Sequence, residues 1–419
     1  MSKMWLPFKK KRQLALSSGA LEIQLAPEPQ EILLPLGLYK KGEPEPKVSV
    51  DRRVVTGEQV LPGVFSPVTG TVKSIESYRI EKDHYAAVRI EVAEREELEP
   101  TIQKQPDFLN IAPAELQRRL HLANLGFPSE LEQFESVIVS AVDADPLTAV
   151  QQQVLRENEE PLHEGLKLLQ RLTGSKNMIL AVPEYLSASG TRVAGGLADV
   201  IPVKPDYPNG LPQILGRDIC RSFGLNNPAF ITVEKLAAAI DCLREGKPFA
   251  YKVVTVAGKG DIQNLRVRLG TKIGELLKHI PLVDGGKVMI GGPMRGSACY
   301  HTDVPVGAEM DSLYVQDADE VVWYENLQCT NCGCCVEACP ANLDVNLIGR
   351  YAEFAIFDSC QELEVSKCIE CGLCAYVCPS SRSLLQLIRL AKTEIADMED
   401  EDIEGEKEIE EETEGEKVS

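Results

Sequence analysis

The spacing of hydrophobic residues changes several times along the chain, and each change marks a predicted structural region. Residues 30–100 contain short apolar runs separated by glycine and proline, and residues 86–92 alternate with a period of two. Such alternation is typical of a half-buried β-strand, and short strands with Gly and Pro turns favour a small barrel or sandwich. Residues 30–100 are therefore predicted to form a small all-β unit.

The next region alternates between strands and helices. Residues 137–139 and 178–182 are apolar runs of strand length, and a leucine stripe over 162–172 lies on one face of a predicted helix that ends at Gly174. Another helix is predicted to begin near Pro113, because proline is favoured in the first helical turn. Strand–helix–strand order predicts parallel pairing in an open, Rossmann-like α/β sheet.

The third pattern is that of a compact β-grasp unit. Residues 251–257 and 265–269 are predicted strands, a short helix follows Gly270, and residues 288–290 lead into the glycine-rich stretch 291–296. The fold class predicted for the whole chain is therefore multidomain α/β plus α+β.

The last pattern consists of two apolar stripes at helical spacing, which predict two core-packing helices. The first stripe comprises Leu347, Ile348, Tyr351, Ala352, Phe354 and Ala355. The second comprises Leu384, Leu385, Leu387, Ile388 and Leu390. Each stripe follows a cysteine-rich run, so this region is predicted to be a helical module built around the cysteines.

The cysteine runs carry the strongest chemical signal. Each has the spacing Cys-x2-Cys-x2-Cys-x3-Cys-Pro, which is the ligand spacing of two [4Fe–4S] clusters. Three cysteines of a run wrap one cluster, and the fourth, before proline, reaches the other. The predicted ligand sets are Cys329, Cys332, Cys335 and Cys378 for one cluster, and Cys368, Cys371, Cys374 and Cys339 for the second. Since such clusters pass single electrons, the sequence predicts an electron relay.

Other interpretations of the cysteines fit less well. Zinc sites use pairs of Cys-x2-Cys without the terminal proline, and a disulfide framework is not expected for this pattern. Cys334 and Cys360 fall outside the register and are predicted to be packing residues or spare thiols rather than ligands. Three further cysteines have no partner at ligand spacing and are predicted to be buried small hydrophobes, namely Cys220, Cys242 and Cys299.

Charge is concentrated at the two ends of the chain. Residues 394–419 hold 14 acidic residues and 2 lysines, which accounts for −12 of the net charge of −20, and this tail is predicted to be disordered. Residues 4–12 place apolar residues beside a basic run, which can lie at an anionic membrane surface or do nothing. An acidic chain argues against nucleic-acid binding. No transmembrane helix or signal peptide is predicted, and thiolate ligands indicate a reducing cytoplasmic compartment.

The order of these units resembles that of the RnfC family, the C subunits of Rnf electron-transport complexes. The matching segments are 66–76, 255–258, 267–277, 290–296 and both cysteine runs. The resemblance implies the following regions: a basic N-terminal segment (1–24), a lipoyl-like barrel-sandwich hybrid domain (25–105), an α/β domain similar to the NADH-dehydrogenase 51-kDa subunit (106–247), a soluble-ligand-binding (SLBB) β-grasp domain (248–320), a 2×[4Fe–4S] ferredoxin domain (321–392) and an acidic tail (393–419).

The resemblance also implies a setting for the chain. RnfC proteins are peripheral subunits on the cytoplasmic face of the cell membrane, and their complex couples electron flow between ferredoxin and NAD to ion transport. The expected partners are therefore the membrane subunits of an Rnf-like complex and ferredoxin or another redox protein. The expected cofactors are two [4Fe–4S] clusters, and in the family the α/β domain also binds FMN and NADH.

This sequence departs from the family in the FMN/NADH site. The family's loop ends Gly-Gly-Ala-Gly-Phe-Pro, whereas residues 123–128 are Ala-Asn-Leu-Gly-Phe-Pro, so that only Gly126, Phe127 and Pro128 remain. The family's Glu-Cys-Glu-Pro becomes a motif that contains Asp143 and Asp145, and residues 207–212 lack the family's glutamate. These departures predict a degenerate nucleotide site, because side chains obstruct the approach of phosphate to backbone N–H groups.

Three functions follow from these observations. The first is an electron-relay subunit of a membrane-associated Rnf-type complex. The second is an NADH-oxidising FMN subunit, or a related cobalamin-reductase-like flavoprotein, so that NADH dehydrogenase activity of the chain itself stays open. The third is a scaffold that only docks partners, which conflicts with eight intact cluster ligands.

Overall fold

The computed structural model describes residues 21–38, 48–80, 83–100, 104, 107–122, 133–174, 177–258, 261–278, 286–319, 321 and 327–398. The chain forms two compact units that divide near residue 321, and each is described by itself. The basic segment at residues 4–12, the acidic residues from 399 onward and the predicted loop residues Gly126, Phe127 and Pro128 lie outside the described part of the chain.

An antiparallel sheet forms the first part of the larger unit. The segment of the chain from residue 23 to residue 92 contains the strands β1 (Ile23–Leu25), β2 (Glu31–Leu38), β3 (Arg53–Val54), β4 (Gln59–Leu61), β5 (Val64–Phe65), β6 (Gly70–Ile80) and β7 (Asp83–Val92). Four of them pair in the order β2-β7-β6-β3, and β4 pairs with β5. Ile32, Val72, Val88 and Ile90 lie in its buried core, so the predicted period-two pattern is found over 88–92, whereas Ala86 and Ala87 are both buried.

A four-stranded parallel sheet forms the α/β part. Its elements are α1 (Pro113–Leu122), β8 (Ser136–Ser140), α2 (Val150–Glu157), α3 (Glu159–Thr173), β9 (Asn177–Pro183), α4 (Ser187–Ala194), β10 (Asp199–Val203), α5 (Pro212–Phe223), β11 (Ala229–Thr232) and α6 (Val233–Glu245). The strand order is β10-β9-β8-β11 with every pair parallel. The predicted open parallel sheet is confirmed, and α3 ends at Gly174 in the left-handed conformation, as its sequence indicates.

A mixed six-stranded sheet completes the larger unit. Its elements are β12 (Tyr251–Gly258), β13 (Asp261–Arg268), α7 (Ile273–Leu276), β14 (Lys287–Ile290), β15 (Ser297–Ala298) and β16 (Ser312–Gln316). The strand order is β1-β13-β12-β16-β14-β15, so β1 from the start of the described chain pairs in parallel with β13. Sequence analysis missed this pairing, because it joins segments far apart in the chain and the three residues of β1 carry too little pattern.

Buried charges connect the α/β part with the mixed sheet. The ammonium of Lys252 on β12 lies between the carboxylates of Glu234 on α6 and Asp311, and it is 2.6 Å from Asp311 Oδ1. Glu234 also accepts a hydrogen bond of 2.8 Å from the backbone N–H of Val253. Removing one partner would leave a buried charge without compensation, which is strongly destabilising. The cluster therefore fixes the two parts against each other.

The smaller unit is helical. It contains α8 (Cys334–Glu337), α9 (Val345–Glu353), α10 (Phe357–Glu362), α11 (Leu373–Tyr376) and a final helix over residues 384–398. The helices pack around Ile348, Cys360 and Ile388, all of which are fully buried. Two expectations need correction. Phe354 lies beyond the end of α9 and is 73 % exposed. The final helix continues past residue 393, because Lys392 is paired with Glu370 and Ile395 packs on the core.

Candidate metal centre

The smaller unit contains a cavity lined by cysteines of both runs. Its cysteines are Cys329, Cys332, Cys335 and Cys378. The first three belong to one run, and Cys378 is the fourth cysteine of the other. The structure therefore brings together the four residues of the first predicted ligand set, although the assignment of iron ligands remains a prediction.

A second cavity repeats this arrangement with the runs exchanged. It is lined by Cys368, Cys371 and Cys374 together with Cys339. Cys334 and Cys360 do not line either cavity. Cys360 is buried in the helical core, 3.6 Å from the carbonyl oxygen of Ile348, which is the packing role predicted for a cysteine outside the register.

The backbone explains how each run curls around its cavity. Asn331 and Gly333 have φ of 54° and 79°, and the corresponding residues of the second run, Glu370 and Gly372, have φ of 55° and 73°. These left-handed positions turn the chain so that the backbone N–H of Asn331 donates to Cys329 Sγ and that of Glu370 to Cys368 Sγ, each at 3.4 Å. The two runs are therefore structural repeats, and their backbone donors stabilise negative charge on sulfur.

The surroundings of the two cavities differ. The first has polar neighbours, including Asn331, Asn346, Ser380 and Arg382, whereas none of the described residues that line the second carries a charge. Cys332 is exposed, and the backbone N–H of Cys334 lowers the pKa of its thiol. In the second cavity, burial raises the pKa of Cys374 to about 12. An anionic group is thus better solvated in the first cavity than in the second.

The residues present fit a group with sulfur and negative charge. Arg382 lines the first cavity and is 6 % exposed, and its Nε has no hydrogen-bond partner in the described structure. A thiolate or sulfide in the cavity would supply the missing acceptor. Within the described residues, no three His, Cys, Asp or Glu side chains are arranged to hold a single metal ion. The geometric support for the clusters is therefore the shared lining of each cavity by four cysteines.

A third cavity lies at the carboxyl edge of the parallel sheet, where ligands of open α/β sheets bind. It brings together Asp143, Asp145 and part of the segment 204–210. Asp143 is bonded inside the protein, because its carboxylate accepts from the backbone N–H groups of Gln151 (2.8 Å) and Gln152 (3.3 Å) at the start of α2. Burial raises the pKa of Asp143 to about 7.

Asp145 has a similar internal role. Its carboxylate accepts from the backbone N–H groups of Met294 (3.3 Å) and Arg295 (3.1 Å) in the glycine-rich loop of the mixed sheet. Gly292 in this loop is required by close contact, since a Cβ there would lie 1.8 Å from Asp145 Oδ1. Burial raises the pKa of Asp145 to about 6. Both predicted cofactor-binding aspartates therefore hold elements of the fold together.

Sequence reasoning missed one charged residue of the first cysteine cavity. Arg382 forms an ion pair with Glu353 and is almost completely buried. The signal that could have found it is the repeat itself: the corresponding residue of the first run is Leu343, which is buried in the core, so an arginine at this position breaks an apolar pattern.

Comparison with known families agrees with these features. The family model of the 4Fe-4S dicluster domain matches residues 321–383, and the model of the NqrA second alpha/beta domain matches residues 127–212. The chain thus carries a 4Fe-4S dicluster domain in its smaller unit, and the second match includes Asp143, Asp145 and strands β8 to β10.

Individual relatives extend the comparison over most of the chain. The C subunit of the ion-translocating oxidoreductase complex of Pseudomonas aeruginosa is 29 % identical over 380 residues, which is 81 % of this chain and 48 % of the relative. The C subunit of Vibrio cholerae is 29 % identical over 86 % of this chain and 51 % of its own, and that of Rhodobacter capsulatus is 25 % identical over 77 % and 70 %. The chain spans about half the length of the first two relatives.

Solved structures are more distant. Crystal structures of an NAD+-reducing [NiFe]-hydrogenase in the air-oxidized and H2-reduced states match with TM-scores of 0.39 and 0.42 at 17 % and 14 % identity. They cover 58 % and 63 % of this chain and 49 % and 55 % of the hydrogenase chain. Similarity at this level indicates neither fold nor function.

The cysteine-lined cavities and the match over residues 321–383 define a protein with a 4Fe-4S dicluster domain. The resemblance predicted from the sequence is confirmed by the relatives: this chain is related to the C subunits of ion-translocating oxidoreductase complexes, that is, of the Rnf type. None of the helices among the described residues is both long enough and apolar enough to cross a bilayer.

Proposed function

We propose that this chain is an electron-relay subunit of a membrane-associated Rnf-type redox complex and that it passes single electrons through two [4Fe–4S] clusters. The observation that carries the proposal is the pair of cavities, each lined by three cysteines of one run and the last cysteine of the other. When bound, such a cluster takes up and gives back one electron. The cysteines hold it, and the backbone N–H groups of Asn331 and Glu370 stabilise charge on the ligand sulfurs.

The iron content of the full chain tests this proposal. Anaerobic loading with iron and sulfide should give about eight irons and eight acid-labile sulfides per chain, together with visible absorption that bleaches on reduction. The same protein should accept electrons from a low-potential donor. A content of about two zinc ions, without iron-derived absorption, would exclude the relay.

We also propose that the α/β domain has lost or weakened FMN and NADH binding. The support is that the carboxylates of Asp143 and Asp145 are already bonded to backbone N–H groups of the protein. An NADH-oxidising flavoprotein is the alternative. It can be tested by FMN fluorescence quenching and by NADH oxidation with ferricyanide, for which we expect neither binding nor turnover. Micromolar FMN binding together with NADH turnover would establish the alternative instead.

The setting of the relay is inferred from its relatives. We propose that the partners are the membrane subunits of an Rnf-like complex and ferredoxin or another redox protein, and that the chain associates peripherally with the cytoplasmic face of the membrane. We further infer that the antiparallel sheet corresponds to a barrel-sandwich hybrid domain and the mixed sheet to an SLBB β-grasp domain. Co-purification of the tagged chain with membrane subunits of such a complex tests the assignment of partners.

A further inference from the structure

The two repeats of the dicluster domain are not equivalent in their electrostatics. At the position that follows the fourth cysteine by four residues, the first run has Leu343 and the second has Arg382. Leu343 packs in the helical core, whereas Arg382 lines the cavity of Cys329 and is buried there. The exchange places one cation in the lining of the first cavity and none in the described lining of the second.

Charges farther out do not cancel this difference. Around the first cavity, Arg382 is paired with Glu353, and Arg350 donates to the neutral Asn331 Oδ1 at 2.5 Å. At the corresponding place in the second repeat, the carboxylate of Glu370 accepts from Arg389 Nε at 3.0 Å and Lys392 Nζ at 2.6 Å. Each of these sets has two cations and one carboxylate, and Lys392 also donates to the carbonyl oxygen of Cys368 at 3.2 Å. The cavities therefore differ in whether a cation forms part of the lining and in their access to solvent.

Reduction of a cluster adds one negative charge, so its potential depends on how well the surroundings stabilise that charge. A lining cation and polar groups stabilise the reduced form, whereas an apolar, buried lining penalises it. In the first cavity Cys332 is exposed and Cys335 is buried, whereas in the second cavity both Cys371 and Cys374 are buried. The lining cation, the polar groups and the exposure of Cys332 all favour the reduced form in the first cavity over the second.

We propose that Arg382 makes the site of Cys329, Cys332, Cys335 and Cys378 the one of higher reduction potential, so that an electron that enters the chain comes to rest there. This inference rests on the proposed function, because it requires both clusters. The site is also the more exposed one, so a one-electron carrier protein would exchange electrons with the chain at this end of the relay.

A potentiometric titration of the iron-loaded full chain, followed by EPR, tests this. The wild type should show two one-electron steps, and Cys332→Ser should alter the upper step while Cys371→Ser alters the lower. Arg382→Leu, which copies Leu343, should lower the upper midpoint: at the wild-type midpoint the ratio of reduced to oxidised cluster should fall about tenfold, which is about 59 mV for one electron. The lower step should not move.

Two further variants keep the test decisive if Arg382→Leu does not retain iron. Arg382→Lys should preserve the upper step, and Glu353→Gln should raise it, because the carboxylate that partly offsets the charge of Arg382 is then removed. Unchanged midpoints in Arg382→Leu or in Glu353→Gln would overturn the inference, as would an upper step that responds to Cys371→Ser. Absence of two clusters by iron analysis would instead refute the proposed function before any potential is measured.

Discussion

The cysteine cavities and the cavity at the edge of the parallel sheet differ in what their polar groups are bonded to. Around the two cysteine cavities, backbone N–H groups point at sulfur and the buried Arg382 Nε lacks an acceptor within the described structure. At the sheet edge, the carboxylates of Asp143 and Asp145 already accept from backbone N–H groups of α2 and of the glycine-rich loop. The first region has bonding capacity left for a ligand, whereas in the second the fold itself uses that capacity.

This difference shows that the residues of a binding motif can be present in a chain whose fold uses them for a structural purpose. A buried carboxylate needs partners, and it can obtain them from a ligand or from the protein itself. At Asp143 the partner is the start of a helix, so the residue is required whether or not a nucleotide binds. The match to the NqrA second alpha/beta domain over residues 127–212 is therefore compatible with loss of nucleotide binding.

The largest effect is expected at the cysteine cavities. Cys371→Ala should reduce the iron content of the loaded chain from about eight to about four, because three thiolates do not complete the site. Cys334→Ala is the matched control, since Cys334 lies in a run but does not line either cavity. Its iron content should equal that of the wild type. Iron analysis measures both, and an equal loss in the two variants would contradict the ligand assignment.

The next largest effect is expected in the pH dependence of stability, through Asp143 at the edge of the parallel sheet. Burial raises the pKa of Asp143 from 3.8 to about 7. The folded protein therefore binds this proton more tightly than the unfolded chain does, and the stabilisation is complete below about pH 4 and is lost as the pH rises to about 7. Asp143→Asn cannot titrate. Its stability relative to the wild type should increase between about pH 5 and 7, by an amount on the order of a few kcal/mol.

Thermal unfolding of the wild type and Asp143→Asn at a series of pH values measures this difference. Parallel stability curves would show that the carboxyl is not held in its buried, internally bonded state. The sheet edge would then resemble a solvated binding site more than the structure indicates.

The smallest effect is expected at Gly210, which lines the same cavity. A Cβ at this position would lie 2.1 Å from the carbonyl oxygen of Asp143, so Gly210→Ala should destabilise the protein by about 1–3 kcal/mol. Gly216→Ala is the control: it lies in helix α5 with open space around its Cβ, and alanine there should be neutral or stabilising by about 1 kcal/mol. Chemical denaturation measures both, and equal stability of the two variants would remove the packing role assigned to Gly210.

The sequence alone determined several helices and strands and the spacing of the cysteines in the two runs. The predicted strands over 86–92, 137–139 and 178–182 and the helix that begins at Pro113 are found in the structure. Periodicity and helix signals are local, so they survive without knowledge of the fold. The same is true of the cysteine spacing, because three ligands lie on one tight loop.

Only the tertiary structure decided how distant segments meet. It paired β1 with β13 and used Asp143 and Asp145 as internal acceptors. It also exposed Phe354 and buried Arg382. These outcomes depend on packing and on competition for hydrogen bonds between segments far apart in the chain, which no local pattern of residues records.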